Sequence, residues 1–461
     1  MNDVKVTKRR KKLKITLISI VTFFILVATA IFVLWHMSGR PALHRVDAAQ
    51  MRTMDFTNVE VYPPGFATDA LYLVRLIENT HPIFVIEGWL PSNYEVIRDE
   101  FLDYTRTHNE SLTRQDFAFA MLRYFTALRD GHMNILAALT TEYLDIQWQA
   151  QNERLYLLNS NGTISDVEVI EIGGIPVSRI FATIARYYYS ENEFALENSR
   201  NRFSRAYEII TRAGGNTDNG VVQLTLSDNG NISTENAVLT ERSPDDADYY
   251  IDIVTIGDVF VLDIRTFINV PSHATELAVQ SIESAVSGGT RKFIIDVRGN
   301  NGGSSWVAQR LLNAMGIRTP EVGSVERFSQ RDGMWHFGIL YSLGFDYSQM
   351  SPSINPSRNR NDVFVSVLTD AGTFSTAMWM GMWVQDGGFG NVIGSPSRNA
   401  PTSFGNTRAH ALPYSDIWFM LSYNKWLRPD VNASQTVLMP DILVDSDYAL
   451  DVAIEHFGNL D

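Results

Sequence analysis

Val367-Leu368-Thr369-Asp370-Ala371-Gly372-Thr373-Phe374-Ser375-Thr376-Ala377-Met378-Trp379 carries the chain from an apolar run, through a turn of small residues, into a helix-like stretch that continues to Gln385. The run Val363 to Leu368 has the length and β-branched content of a strand buried on both faces. A serine at such a junction has two readings. Ser375 caps the helix, or its hydroxyl stands exposed beside the positive helix end as a nucleophile.

Working outward, the same pattern recurs upstream. Phe293 to Val297 is a second interior strand, and Asp296-Val297-Arg298-Gly299-Asn300-Asn301-Gly302-Gly303 turns it into the helix-like stretch Trp306 to Met315. Paired glycines let backbone N–H groups face outward at a helix start, where an oxyanion is well placed; a plain tight turn is the other reading. Val259 to Ile264 and Ala274 to Ser287 add another strand and helix. Strands alternating with helices predict an α/β core over 249–461.

The preceding residues, 140–248, read as a compact α+β module. Leu155 to Leu158, Val167 to Ile172, Val221 to Leu226 and Ala237 to Leu239 are strand-like, and Ser178 to Tyr188 is helix-like. Residues 61–139 read as a helical domain. Leu71, Val74, Leu76 and Ile77 form one apolar stripe, and Phe117, Phe119, Leu122, Phe125 and Leu128 another. Thr113 with Asp116 marks a helix start. Residues 36–60 read as a linker.

The first residues differ from the rest. Lys5, Lys8, Arg9, Arg10, Lys11, Lys12 and Lys14 form a basic tail, 1–14, and 15–35 is a 21-residue stretch without a charge. A helix of that length spans the hydrocarbon core, about 30 Å. The basic flank predicts a cytoplasmic N-terminus and an extracytoplasmic bulk. A cleaved signal peptide is the competing reading, but Ala28-Thr29-Ala30 is followed by further apolar residues, which favours an uncleaved single-pass anchor.

Beyond residue 40 the chain holds 30 basic and 51 acidic residues, net −21, which argues against nucleic acid as a partner. There is no cysteine, so a disulfide, a thiolate nucleophile and a Cys-ligated metal are excluded. The 45% hydrophobic content is ample for packed cores.

Together the two turns resemble peptidase family S41, the C-terminal processing or tail-specific peptidases. Asp296 to Gly303 is similar to that family's Asp-Leu-Arg-x-Asn-x-Gly-Gly signature, and Gly372-Thr373-Phe374-Ser375-Thr376-Ala377 to its nucleophile turn. Asn391-Val392-Ile393-Gly394, Ala411-Leu412-Pro413-Tyr414-Ser415, Met439-Pro440-Asp441-Ile442-Leu443-Val444, Asn79-Thr80-His81-Pro82 and Leu128-Arg129-Asp130-Gly131-His132 match further landmarks in order. The resemblance implies a PDZ-like module, a crotonase-like α/β core and acyl transfer to water through an acyl-serine. It implies Ser375 as nucleophile, and an oxyanion hole at Gly302, Gly303 and Thr376. A polypeptide is the implied substrate, with no metal or cofactor.

The activating residue is the open point. The lysine of the Ser-Lys branch is missing from Ala400-Pro401-Thr402-Ser403-Phe404-Gly405, and beyond Lys14 only Lys292 and Lys425 remain. The tricorn-like branch uses a histidine from a motif like Leu-x-Asp-x-His, which falls on His132, with His81, His273, His336 and His410 as rivals. That branch's orienting Glu is missing from Ala433-Ser434-Gln435-Thr436-Val437. Ser434, Gln435 or Asp430 are the substitutes in reach, and a peptide-binding protein that has lost catalysis is the alternative.

Overall fold

The computed structural model describes residues 22–23, 26–27, 29, 42–44, 63–86, 88–136, 142–241, 250–328, 340–341, 343–354 and 362–459. Within 15–35 the described residues are helical, but most of that stretch, with the basic tail, lies outside the described residues. No helix among the described residues is long and apolar enough to cross a membrane.

A short strand β1 (Ala42–His44) precedes three helices, α1 (Phe66–Thr80), α2 (Tyr94–Thr107) and α3 (Arg114–Thr126). The Thr113 hydroxyl accepts the Asp116 N–H at 3.0 Å, capping α3 where the sequence predicts a start. Both predicted stripes are buried.

Seven strands follow: β2 (Glu142–Leu144), β3 (Trp148–Gln151), β4 (Arg154–Leu158), β5 (Ile164–Ile172), β6 (Ile175–Pro176), β7 (Val221–Asp228) and β8 (Asn231–Glu241). They pair antiparallel in the order β2-β8-β7-β5-β4-β3, with β6 on β5. Helices α4 (Val177–Tyr187), α5 (Glu193–Phe203) and α6 (Tyr207–Ala213) lie between β6 and β7. One apolar core runs from the N-terminal helices through this sheet, and it also takes in Phe404, Phe419, Leu421 and Tyr423 from near the C-terminus.

The last region begins with β9 (Ile251–Ile256), β10 (Val259–Ile264), α7 (Ser272–Ser287), β11 (Lys292–Asp296) and α8 (Ser305–Ala314). Then come β12 (Gly323–Arg327), β13 (Tyr347–Met350), β14 (Phe364–Thr369), α9 (Thr376–Asp386) and β15 (Gly390–Gly394). It ends with β16 (Phe404–Ala411), β17 (Trp418–Leu427), β18 (Ile442–Leu443) and α10 (Ala449–Gly458).

A six-stranded sheet has the order β18-β15-β14-β11-β10-β9, parallel throughout except β9 at one edge. Its strands read as unbroken apolar runs because both faces are covered. Phe260, Leu262 and Ile264 of β10 share a core with α7, α8 and α9, while Val259 and Val261 share one with α10. Parallel pairing puts the turns after β11 and β14 at the same sheet edge, where open α/β sheets bind ligands. A separate antiparallel sheet, β1-β13-β12-β17-β16, continues toward the N-terminal helices. Asp69 on α1 accepts the N–H groups of Tyr414 and Ser415, at 2.9 and 2.8 Å, and so ties the two ends of the chain together.

Candidate active site

Ser375 has φ 55° and ψ −124°. This conformation is natural for glycine and costs any other residue about 1–3 kcal/mol. The residue sits at the N-cap of α9, yet its side chain makes no capping bond, so the capping reading does not hold. The strain is held by its neighbours. Asn399 Oδ1 accepts the Ser375 N–H at 2.8 Å, and Phe374 donates to the Asn300 carbonyl at 2.9 Å. Asp370 Oδ1 accepts from Gly299, Gly372 and Thr373 N–H at 2.8, 2.9 and 2.8 Å, binding the glycine turn to the serine turn.

Gly302 lies against this elbow. A Cβ there would fall 2.7 Å from Ser375 Cβ and 2.8 Å from Thr376 N, at a backbone φ of +87°. Its own N–H donates to Asn300 Oδ1 at 2.8 Å, so among the glycine pair the open donor is the Gly303 N–H, which has no acceptor among the described residues. Thr376, the first residue of α9, has an N–H that the helix itself does not use. Its hydroxyl donates to the Gly303 carbonyl at 2.8 Å, locking the two N–H groups side by side.

His132 arrives from the other half of the molecule. Its ring packs on Phe374, centroids 4.5 Å apart, next to Ser375. A methyl group at Gly405 would lie 3.7 Å from His132 Nε2. The loop that delivers the ring turns sharply at Arg129, φ 51°, and is held by the buried Asp130. Asp130 Oδ1 accepts the His132 N–H at 2.8 Å and lies 3.9 Å from Nδ1, too long for a hydrogen bond but near enough to bias the ring. Burial, opposed by Asp130 and reinforced by Arg398, lowers the His132 pKa below its usual 6.5, so the ring is neutral at pH 7.

Of the rival histidines, those described are paired elsewhere or exposed. His81 ends α1, as expected before Pro82, and its Nε2 pairs with Asp130 Oδ2 at 3.1 Å. His410 pairs with the Tyr423 hydroxyl at 2.8 Å, and His273 is exposed at the start of α7. His336 lies outside the described residues. Lys292 pairs with Asp258 at 3.0 Å. Lys425 is buried over the rings of Trp89 and Phe404, Nζ 3.6 and 4.2 Å from their centroids, and burial brings its pKa down to about 8.

The three substitutes considered for the missing Glu are bonded elsewhere. Gln435 donates to the Asp430 and Ala433 carbonyls, at 3.0 and 2.8 Å, and accepts from Thr402. Ser434 Oγ accepts the Val437 N–H, and Asp430 Oδ1 that of Asn432. These bonds serve the local turn, which Arg428 anchors to the buried Asp386 at 2.7 Å.

The carboxylate that sequence reasoning missed is Glu191, in the link between α4 and α5. Oε1 accepts the Gly131 N–H at 3.1 Å, and Oε2 accepts Asn399 Nδ2 and the Ala400 N–H at 2.6 and 2.7 Å. Burial, and then the like charge of Asp130 against these favourable bonds, push its pKa up to about 7. Asp130, His132 and Glu191 each bring one side-chain atom to within 4.8 Å of the others.

A family model, Peptidase family S41, matches residues 258–444. No curated protein sequence matches the chain. Among solved structures, mature CPAF is similar over 85% of this chain and 95% of its own, at 15% identity and a TM-score of 0.60. Mature CPAF complexed with lactacystin is similar over 86% of this chain and 97% of its own, at 16% identity and a TM-score of 0.60. At that identity the likeness shows the fold, while the family match spans both turns built above. Residues 258–444, which carry the glycine turn and Ser375, are therefore the part of the chain that matches peptidase family S41.

Proposed function

We propose that the chain is a serine peptidase of the Ser-His, tricorn-like kind, and that it cleaves polypeptides. The observation that carries this reading is the Ser375 elbow. A strained serine whose side chain makes no capping bond stands beside two N–H groups that have no acceptor among the described residues, and a neutral imidazole packs on the preceding residue.

In this mechanism Ser375 Oγ attacks the peptide carbonyl carbon while His132 Nε2 takes the hydroxyl proton. The negative charge on the carbonyl oxygen is held by the N–H groups of Gly303 and Thr376, and Gly302 supplies the space. The C–N bond then breaks, and His132 returns the proton to the leaving amine. Water, deprotonated by His132, attacks the acyl-serine; the C–Oγ bond breaks, His132 returns the proton to Ser375 Oγ, and the acid product leaves. Asp130 stabilises the imidazolium across 3.9 Å.

The same proposal takes 15–35 as a single membrane anchor, with the catalytic domain outside the cytoplasm. The one-sided basic cluster and the uncharged stretch support this. The β2–β8 sheet is taken as the PDZ-like module, supported by the Ile172-Gly173-Gly174-Ile175 turn that joins β5 to β6 ahead of α4.

Fluorophosphonate labelling tests the chemistry, because it needs an activated serine. Labelling of wild type and none of Ser375→Ala is the expected result. An unlabelled wild type, together with retained peptide binding, would favour the non-catalytic peptide-binding alternative.

A further inference from the structure

Glu191 belongs to neither turn nor to the base motif, yet one carboxylate joins the base motif to the serine turn. From Oε1 it reaches Gly131, the residue beside His132. From Oε2 it reaches Asn399, whose Oδ1 in turn holds the Ser375 N–H. We propose that Glu191 is the positioning residue of this site, its ionised carboxylate clamping the loop of the base to the elbow of the nucleophile. The inference rests on the peptidase reading above.

The clamp has no slack. Every recorded partner of the carboxylate is a donor: two backbone N–H groups and one amide NH₂. A neutral acid, or a glutamine, must present a hydrogen of its own to one of these donors, and so releases one side. The space is equally tight, since a Cβ on Gly131 would fall 2.8 Å from Oε1.

The charged and titratable groups facing Glu191 come from four elements. Asp130 on the base loop opposes its ionisation, and a ring nitrogen of His132 on the same loop lies within 4.8 Å of a carboxylate oxygen. Lys425 on β17 and Arg398 on the loop after β15 favour it. Tyr189, on the same link, sees its charge. With the pKa pushed up to about 7, the acid is ionised above that pH and protonated below it, so the clamp opens as pH falls through about 7.

The experiment measures fluorophosphonate labelling rate from about pH 5 to about pH 9, in full-length wild type and Glu191→Gln, with kcat and KM on a peptide found to be cleaved. Wild type needs Glu191 ionised and His132 neutral, so its acid limb should begin near about 7 and steepen beyond a one-proton slope. Glu191→Gln should label roughly 10- to 100-fold more slowly at about pH 8, in kcat rather than KM. Its remaining limb should follow His132 alone, one proton, below 6.5. A Gln variant with wild-type rate and limb overturns the proposal. If that variant does not fold, wild type decides: a one-proton limb below 6.5 overturns it equally. Absence of wild-type labelling at every pH brings down the peptidase reading, and this proposal with it.

Discussion

The ring of His132 rests on the ring of Phe374, with centroids 4.5 Å apart and planes at 41°. The residue before the proposed nucleophile is thus the seat of the proposed base. His132→Ala should cost nearly as much activity as Ser375→Ala, because the two act as one unit. Phe374→Ala removes the seat but neither reacting group, and kcat should fall roughly tenfold or more through lost orientation. Wild-type kcat/KM in His132→Ala would eliminate this residue as the base.

The backbone of Ser375 can be tested apart from its hydroxyl. Ser375→Ala and Ser375→Gly should both lose activity, by on the order of 10⁶ for a triad-type nucleophile. They should differ in stability. Glycine adopts φ 55° without strain, so Ser375→Gly should be more stable than Ser375→Ala by about 1 kcal/mol. Denaturant unfolding of the pair reads this directly, and equal stabilities would mean the turn relaxes.

Gly302→Ala should abolish labelling in a protein that still binds peptide. The added methyl would meet the Phe374 carbonyl and Ser375 Cβ, each at 2.7 Å, and the φ of +87° disfavours any side chain. Loss of at least about a hundredfold in kcat is expected, comparable with removing one oxyanion donor. Labelling at the wild-type rate would show that the oxyanion pocket is built elsewhere.

Lys425→Met should keep its activity at about pH 9, which a lysine base would not. Loss of the cation disfavours ionised Glu191, so the acid limb should move to higher pH. Stability carries a second signature. With the folded pKa near about 8 against 10.5 for the free side chain, the unfolded chain binds more protons between those values. Wild-type stability should therefore gain from this group as pH rises through that window, a gain the Met variant lacks. Lys292→Ala should be close to neutral for catalysis. A folded Lys425→Met protein that is inactive at every pH would reassign the base.

Protease added to intact cells should digest 36–461 and spare the basic tail, with Lys5 to Lys14 protected. Epitope tags at either end make this readable by blotting. A protected catalytic domain would reverse the orientation.

Much of the core sheet was legible because its strands are buried on both faces. Val259–Ile264 reads as an apolar run bounded by turn residues and forms that strand. Ser375 was legible for a similar reason: a strand, small residues and a helix leave little choice but a tight elbow. Glu191 was not. It follows Tyr187-Tyr188-Tyr189-Ser190 and precedes an N-cap asparagine, so it reads as part of a polar link between helices. Its partners, Gly131 and Asn399, lie far from it in sequence in opposite directions. Lys425 was hidden in the same way. Counting strands puts it well past the serine turn, but the antiparallel pairing of β16 with β17 sets it opposite Phe404. Ser434, Gln435 and Asp430 are near the right place in sequence, but their side chains are bound to their own turn.

The imidazole is made in the first third of the chain, and the hydroxyl only near its end. The ring comes to lie on Phe374, the residue beside Ser375, because β16 and β17 pack into the core founded by α1–α3, with Asp69 fastening Tyr414 and Ser415. On the peptidase reading, a growing chain would be chemically silent until both segments are made and packed, and the isolated 258–444 segment would carry a serine without its proposed proton acceptor. Chain order would then act as a safety catch, with completion of the tertiary structure arming the proposed site.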